Sequence, residues 1–102
     1  MIKMIDIQHQ HLQIIHHILD EFLPNTAVWA FGSRIQGRAK TYSDLDLVIV
    51  GQQQIPLKIY YQIQDAFEES ALPYRVDILD WHRISADFKA VILKQYVDFK
   101  RA

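Results

Sequence analysis

The chain has 102 residues, half of them apolar and 23% charged, with 11 Lys and Arg against 12 Asp and Glu for a formal net charge of −1. These totals exclude a disordered chain and any general electrostatic pull toward nucleic acid or an anionic membrane. The absence of cysteine excludes a disulfide frame and a thiolate metal site.

One domain over residues 1–102 is expected, burying roughly 60–70% of its unfolded surface around a thin core. A large ligand pocket must then be shallow or completed by a second subunit, which leaves a homo-oligomer open. The first residues mix Lys3 and Asp6 with Ile and Met and offer no secretory h-region. No apolar run approaches the ~18 residues of a membrane span. Together these features predict a cytoplasmic protein.

Helical and strand patterns alternate along the chain, which predicts an α/β or α+β layer structure. From Asp6 to Leu23, Leu12, Ile15, Ile18, Leu19 and Phe22 recur at helical spacing, with Asp6 as the expected cap and Pro24-Asn25 as the stop. The apolar run Ala27 to Phe31 predicts a buried strand with both faces covered. Arg34 to Arg38 is expected to begin a helix after Gly32-Ser33. Asp44 to Val50 predicts a second strand. Leu57 to Ala71 predicts a helix opened by Pro56, Tyr74 to Leu79 a third strand, and Ser85 the cap of a last helix carrying Phe88, Val91, Ile92 and Gln95, with Tyr96 and Phe99 near the chain end.

Gly32-Ser33 stands directly after a predicted strand. Backbone N–H groups at a strand-to-helix turn, with a Ser hydroxyl beside them, suit a triphosphate. Glycine lets the backbone approach without a Cβ in the way. Taken alone, such a glycine is more often only a turn.

Asp44-Leu45-Asp46 says more. Residues i and i+2 of a strand share a face, so the two carboxylates project together while Leu45 and Leu47 go to the other side. At about 4 Å and an effective dielectric near 20, their repulsion is of order 4 kcal/mol, which a divalent cation reverses. Asp77, inside the apolar run Arg75 to Leu79, joins them if its strand is the neighbour. Three carboxylates with substrate phosphates are the hard oxygen donors that Mg²⁺ or Mn²⁺ takes. Asp80 has the opposite parity and suits capping.

Phe31-Gly32-Ser33, ten intervening residues, then Asp44-Leu45-Asp46-Leu47, with Asp77 on a later strand, resembles the DNA polymerase β-like nucleotidyltransferase superfamily, and within it the minimal nucleotidyltransferases. The resemblance covers essentially the whole chain. It implies a small mixed sheet flanked by helices and metal-dependent transfer of a nucleoside monophosphate, AMP from ATP. By matched position it implies that Gly32 and Ser33, aided by Arg34, Arg38 and Ser43, hold the triphosphate. Asp44 and Asp46 then bind the ions, and Asp77 completes the site and helps deprotonate the attacking hydroxyl.

Where many relatives read Gly-Ser-Arg-Ala-Arg-Gly, Ile35-Gln36 replaces Ala-Arg before Gly37. That leaves Arg34 or Arg38 as the phosphate-facing cation. The resemblance further implies a helical HEPN-domain protein as partner in a toxin–antitoxin pair, with this chain as antitoxin adenylylating a tyrosine of the toxin. The competing reading is a non-catalytic subunit of the same fold that neutralises its partner by occlusion. The Ile35-Gln36 departure favours it and the three acids oppose it.

Other polar residues have plainer readings. No pair among His9, His11, His16 and His17 has the three- or four-residue spacing of helical metal ligands, and His82 is expected in a loop. Arg34, Arg38 and Lys40 form a local basic patch suited to phosphate steering. Trp29 and Phe31 are expected to pack in the core.

Overall fold

The computed structural model describes residues 5–37, 39–40 and 42–102. Four strands form one sheet in the order β3-β2-β1-β4. They are β1 (Ala27–Phe31), β2 (Leu45–Val50), β3 (Val76–Asp80) and β4 (Val97–Lys100). β1 pairs antiparallel with β2 and β4, whereas β2 and β3 run parallel. The parallel pair needs a crossover, which α2 (Leu57–Glu68) supplies. The expected small mixed sheet flanked by helices is what forms.

α1 (His9–Phe22) and α2 cover one face of the sheet. Ile15, Ile18 and Leu19 of α1 and Ile63 and Phe67 of α2 close over Val28, Ala30, Leu45, Leu47, Ile49 and Ile78. These strand residues alternate with those of the opposite face, as the two-residue period requires. On that second face Trp29 stacks on Tyr96 with ring centroids 4.1 Å apart, and Trp81 meets it edge-on at 5.4 Å. Phe31 meets Phe88 of α3 (Ala86–Lys94) at 5.9 Å. α3 and the 3₁₀ turn Trp81–Arg83 thus lie over β1, and Trp29 and Phe31 are packing residues as expected.

Several boundaries differ from expectation. α1 starts at His9 behind a Gln8 cap that makes no side-chain bond. Asp6 is not the cap: its N–H donates to the Arg34 carbonyl at 2.7 Å and its own carbonyl accepts from Arg34 Nη1 at 2.8 Å, which ties the leading segment to the loop. α2 stops at Glu68, and β3 is shifted to include Asp80. Ser85 does cap α3, its Oγ accepting from the Phe88 N–H at 3.1 Å.

The chain end is a strand and not the tail of a helix. In β4, Lys100 is buried, its Nζ donating to the carbonyls of Thr26 at 3.1 Å and Pro24 at 3.4 Å. A lysine turned inward hides the apolar alternation by which so short a strand is recognised. No helix among the described residues is long and apolar enough to cross a membrane.

Candidate active site

The chain leaves β1 at Gly32 with φ 83° and ψ −159°, backbone open to glycine and closed to almost every other residue. Phe31 is the register partner of Asp46, so this turn passes directly over the start of β2. A Cβ built on Gly32 would collide with Asp46 Oδ2. Glycine is therefore needed twice, for the backbone angle and for the room the carboxylate takes.

The expected helix over Arg34 to Arg38 does not form. Ser33–Ile35 makes one 3₁₀ turn, closed by N–H bonds from Ile35 to Gly32 and from Gln36 to Ser33, both 3.2 Å. Gly37, with φ 71°, then turns the chain away. Any phosphate cradle here is a turn of backbone N–H groups with the half-buried Ser33, without the dipole of a helix. Arg38, expected to contact phosphate, lies outside the described residues.

Arg34 is not part of an exposed basic patch. It is 5% exposed and braces the loop. Nε and Nη2 donate to the Ser43 carbonyl at 3.0 and 2.8 Å, Nη1 donates to Asp6, and the guanidinium lies 4.0 Å over the Tyr74 ring. A planar fork can serve carbonyls on two sides at once, and that pulls the side chain inward. Ser43 shares the brace, its Oγ accepting from the Lys40 N–H at 2.8 Å.

Arg34→Lys is expected to cost about 2–3 kcal/mol, because one ammonium leaves buried carbonyls without donors. A thermal melt reads this directly. An unchanged melting temperature would mean that the brace carries no stability.

Asp46 and Asp77 are register partners on the parallel pair β2–β3, so both side chains project from the second face of the sheet. Leu45 and Leu47 are fully buried on the first face. Asp44 stands exposed one residue before β2. Asp46 is half-buried, and its carboxyl is pushed up to about 6, first by burial, then by the charges of Asp77 and Asp44, with Arg75 acting in the opposite sense.

Asp77 Oδ1 accepts from Arg75 Nε at 2.9 Å and Nη2 at 2.7 Å. Among the described residues no three Asp, Glu or His groups are close enough to hold one ion. Arg75 itself stands two residues before Asp77, the spacing that places both on one face, and that parity was the signal for it in the sequence.

Asp80 points to the other face and is buried, accepting from the N–H groups of Ile55 at 2.9 Å and His82 at 3.0 Å. His82 lies in the 3₁₀ turn with Nε2 2.7 Å from the Gly51 carbonyl. His16 stacks on Phe99 and His11 meets Tyr74 edge-on, so these two histidines are packing residues.

The Gly32 turn thus lies against Asp46, and Asp46 and Asp77 stand in register on two adjacent strands. The profile of the family described as "Polymerase beta, Nucleotidyltransferase" matches residues 13–98. The chain belongs to the polymerase beta nucleotidyltransferase family.

Within it, the chain is 46% identical over 93 residues to the "Probable protein adenylyltransferase MntA" of Haemophilus influenzae, a match covering 91% of this chain and 82% of that one. Among solved structures, a toxin–antitoxin crystal structure with AMP-PNP superposes with a TM-score of 0.73 at 21% identity, over 89% of this chain and 73% of that chain. The complex of tri-AMPylated Shewanella oneidensis HEPN toxin with its MNT antitoxin gives 0.69 at 19% identity, over 94% and 74%. At such identities these two likenesses speak for the fold.

For a nucleotidyltransferase, the donor set fits a hard divalent ion. It is all carboxylate oxygen, and Asp46 carries a charge that its surroundings oppose. The glycine turn gives that oxygen its room, because a Cβ there would collide with it.

Proposed function

We propose that this nucleotidyltransferase moves AMP from ATP to a hydroxyl of a partner protein, as the antitoxin of a toxin–antitoxin pair whose toxin is a helical HEPN-domain protein. The observation that carries the reading is the Gly32 turn seated on Asp46, with Asp77 beside it in register. The 46% identity to the Haemophilus protein supports adenylyl transfer to protein, and the toxin–antitoxin complexes of the same fold support the class of partner.

Asp44, Asp46 and Asp77 would hold Mg²⁺, or Mn²⁺ in its place. When bound, such ions neutralise the triphosphate and lower the charge barrier to attack at the α-phosphorus. The Gly32-Ser33 backbone and the Ser33 hydroxyl receive the phosphates. With Arg34 committed to its brace, Arg38 is the cation left in this segment to serve the phosphates.

Asp77 borders the acceptor side and accepts the proton of the incoming hydroxyl. The new bond runs from that oxygen to the α-phosphorus, and the bond to pyrophosphate breaks in line with it. The protein's part is to position and to present charge, with no covalent intermediate.

The test is the intact mass of a co-purifying or neighbouring-encoded HEPN protein after incubation with this chain, Mg²⁺ and mixed nucleoside triphosphates. Gain of one or more AMP units, lost with Asp44→Asn, is the expected result. A stable complex of unchanged mass would sink the catalytic reading and leave inhibition by occlusion.

A further inference from the structure

Arg75 has no part in the chemistry described so far, yet it makes the closest polar contact to any of the three site acids. Nε and Nη2 both donate to the same Asp77 oxygen, at 2.9 and 2.7 Å. Here the pair sits two residues apart where the chain enters β3, Arg75 just before the strand and Asp77 within it, with the Arg75 side chain 73% and the Asp77 side chain 36% exposed. It therefore ties no part of the fold to another. Its consequence is electrostatic: the guanidinium supplies positive charge to Asp77 and, more weakly, to Asp44 and Asp46.

We propose that Arg75 is a built-in competitor of the divalent ion, occupying Asp77 in the ion-free enzyme and surrendering it when the ion binds, so that it sets ion affinity. The inference rests on the reading of Asp46 and Asp77 as ion ligands. Arg75 is in this sense a positioning residue, acting through Asp77.

Three features support the exchange. First, the pair is exposed, and exposed ion pairs are weak enough for a divalent cation to displace. Second, both N–H groups converge on one oxygen of Asp77, the residue that the strand register places beside Asp46, so the guanidinium holds a carboxylate that the ion would need. Third, the released guanidinium has somewhere to go. A cleft of about 370 Å³ between α2 and β3 is lined by Arg75 and Asp77 and also by Gln64 and Glu68, a carbonyl and a carboxylate able to accept its N–H groups. The ion then inherits a carboxylate that is solvent-accessible.

The experiment is Mn²⁺ titration of the full chain without nucleotide, by calorimetry and by the paramagnetic signal of free Mn²⁺, on wild type, Arg75→Gln and Arg101→Gln. Arg75 is exposed, so its replacement leaves the fold standing. Arg101, exposed at the chain end, controls for the change of net charge.

Arg75→Gln is expected to bind Mn²⁺ roughly two- to five-fold more tightly, the factor an exposed ion pair commands, with Arg101→Gln matching wild type. Equal affinity in Arg75→Gln and wild type would overturn the competition. An equal gain in Arg101→Gln would overturn it too, because net charge would then account for the effect. Wild type binding no Mn²⁺, with Asp46→Asn no different, would instead overturn the ion-ligand reading on which the inference stands.

Discussion

Asp46→Asn is expected to abolish adenylyl transfer, by at least about 10³-fold, while raising the melting temperature of the ion-free protein at neutral pH. The first half follows from where the side chain stands. Asp46 meets the Gly32 turn and is the register partner of Asp77, so under the proposed function an ion that touches both phosphates and protein would use it. Loss of one preorganised donor to a developing charge costs about 10²–10³ in rate, and loss of a ligand to the charge-bearing ion costs at least as much.

The second half follows from the carboxyl's displaced pKa. Folding raises it from 3.8 to about 6, so the native state holds that proton more tightly than the unfolded chain does. At low pH, with Asp46 protonated in both states, there is no penalty. It grows as pH rises from 3.8 and is complete above about 6. In an unscreened site this displacement corresponds to about 3 kcal/mol. Asp46 is only half-buried, so about 1 kcal/mol is the reasonable expectation after screening.

For a domain of this size 1 kcal/mol moves the melting temperature by roughly 4–8 °C. The advantage of Asp46→Asn should therefore be present at pH 7.5 and fade toward pH 4. Below pH 6 a bound ion must also displace the proton from Asp46, so Mn²⁺ affinity of the wild type falls by up to about tenfold per pH unit. A variant that loses activity and also melts lower at pH 7.5 would show that Asp46 serves the fold before it serves an ion.

How much of this arrangement could be read beforehand depends on whether the deciding interactions were local. β1 was legible to the residue because five apolar positions lie between Pro24-Asn25 and Gly32, with nothing else for the segment to be. The shared face of Asp46 and Asp77 followed from the two-residue period once the strands were placed side by side. Ser85 announced its helix because a cap needs only its own next three residues.

The features that stayed hidden depend on distant partners. Arg34 looked like a phosphate ligand beside Gly32-Ser33. Its guanidinium is instead claimed by the carbonyls of Asp6 and Ser43, far along the chain in one case and across the loop in the other. β4 could not be separated from the end of α3 because Lys100, its buried residue, finds its acceptors in the turn after α1. Arg75 was visible in parity but not in consequence, since an arginine near an aspartate is ordinary until the strand register puts a second acid next to that aspartate.

Gly32→Ala is expected to do the most damage of any single methyl group added to this chain. Two costs arise at once. At φ 83° and ψ −159° the backbone sits where a Cβ is strained by about 1–3 kcal/mol whatever its surroundings. The new methyl is also aimed at Asp46 Oδ2, so the short Asp46 side chain must rotate out of its place against the turn.

A loss of about 3–4 kcal/mol and a melting temperature lower by roughly 10–20 °C follow, with transfer activity lost even in the fraction that folds. Gly37→Ala is the comparison. Its φ of 71° is also left-handed, but among the described residues nothing beyond its chain neighbours lies within 4 Å of the added Cβ, so only the conformational cost of about 1–2 kcal/mol applies.

The double variant Gly32→Ala with Asp46→Ala separates the two costs. Removing the carboxylate relieves the collision and leaves the strain, so the pair should be less destabilised than the sum of the single changes by about 1–2 kcal/mol. Strict additivity would mean that the turn and Asp46 are not in contact, and the phosphate cradle and the ion site would then be separate places. A coupling of the expected size fixes the turn and Asp46 as one contact, so that under the proposed function the backbone offered to the triphosphate would be shaped by the carboxylate offered to the ion.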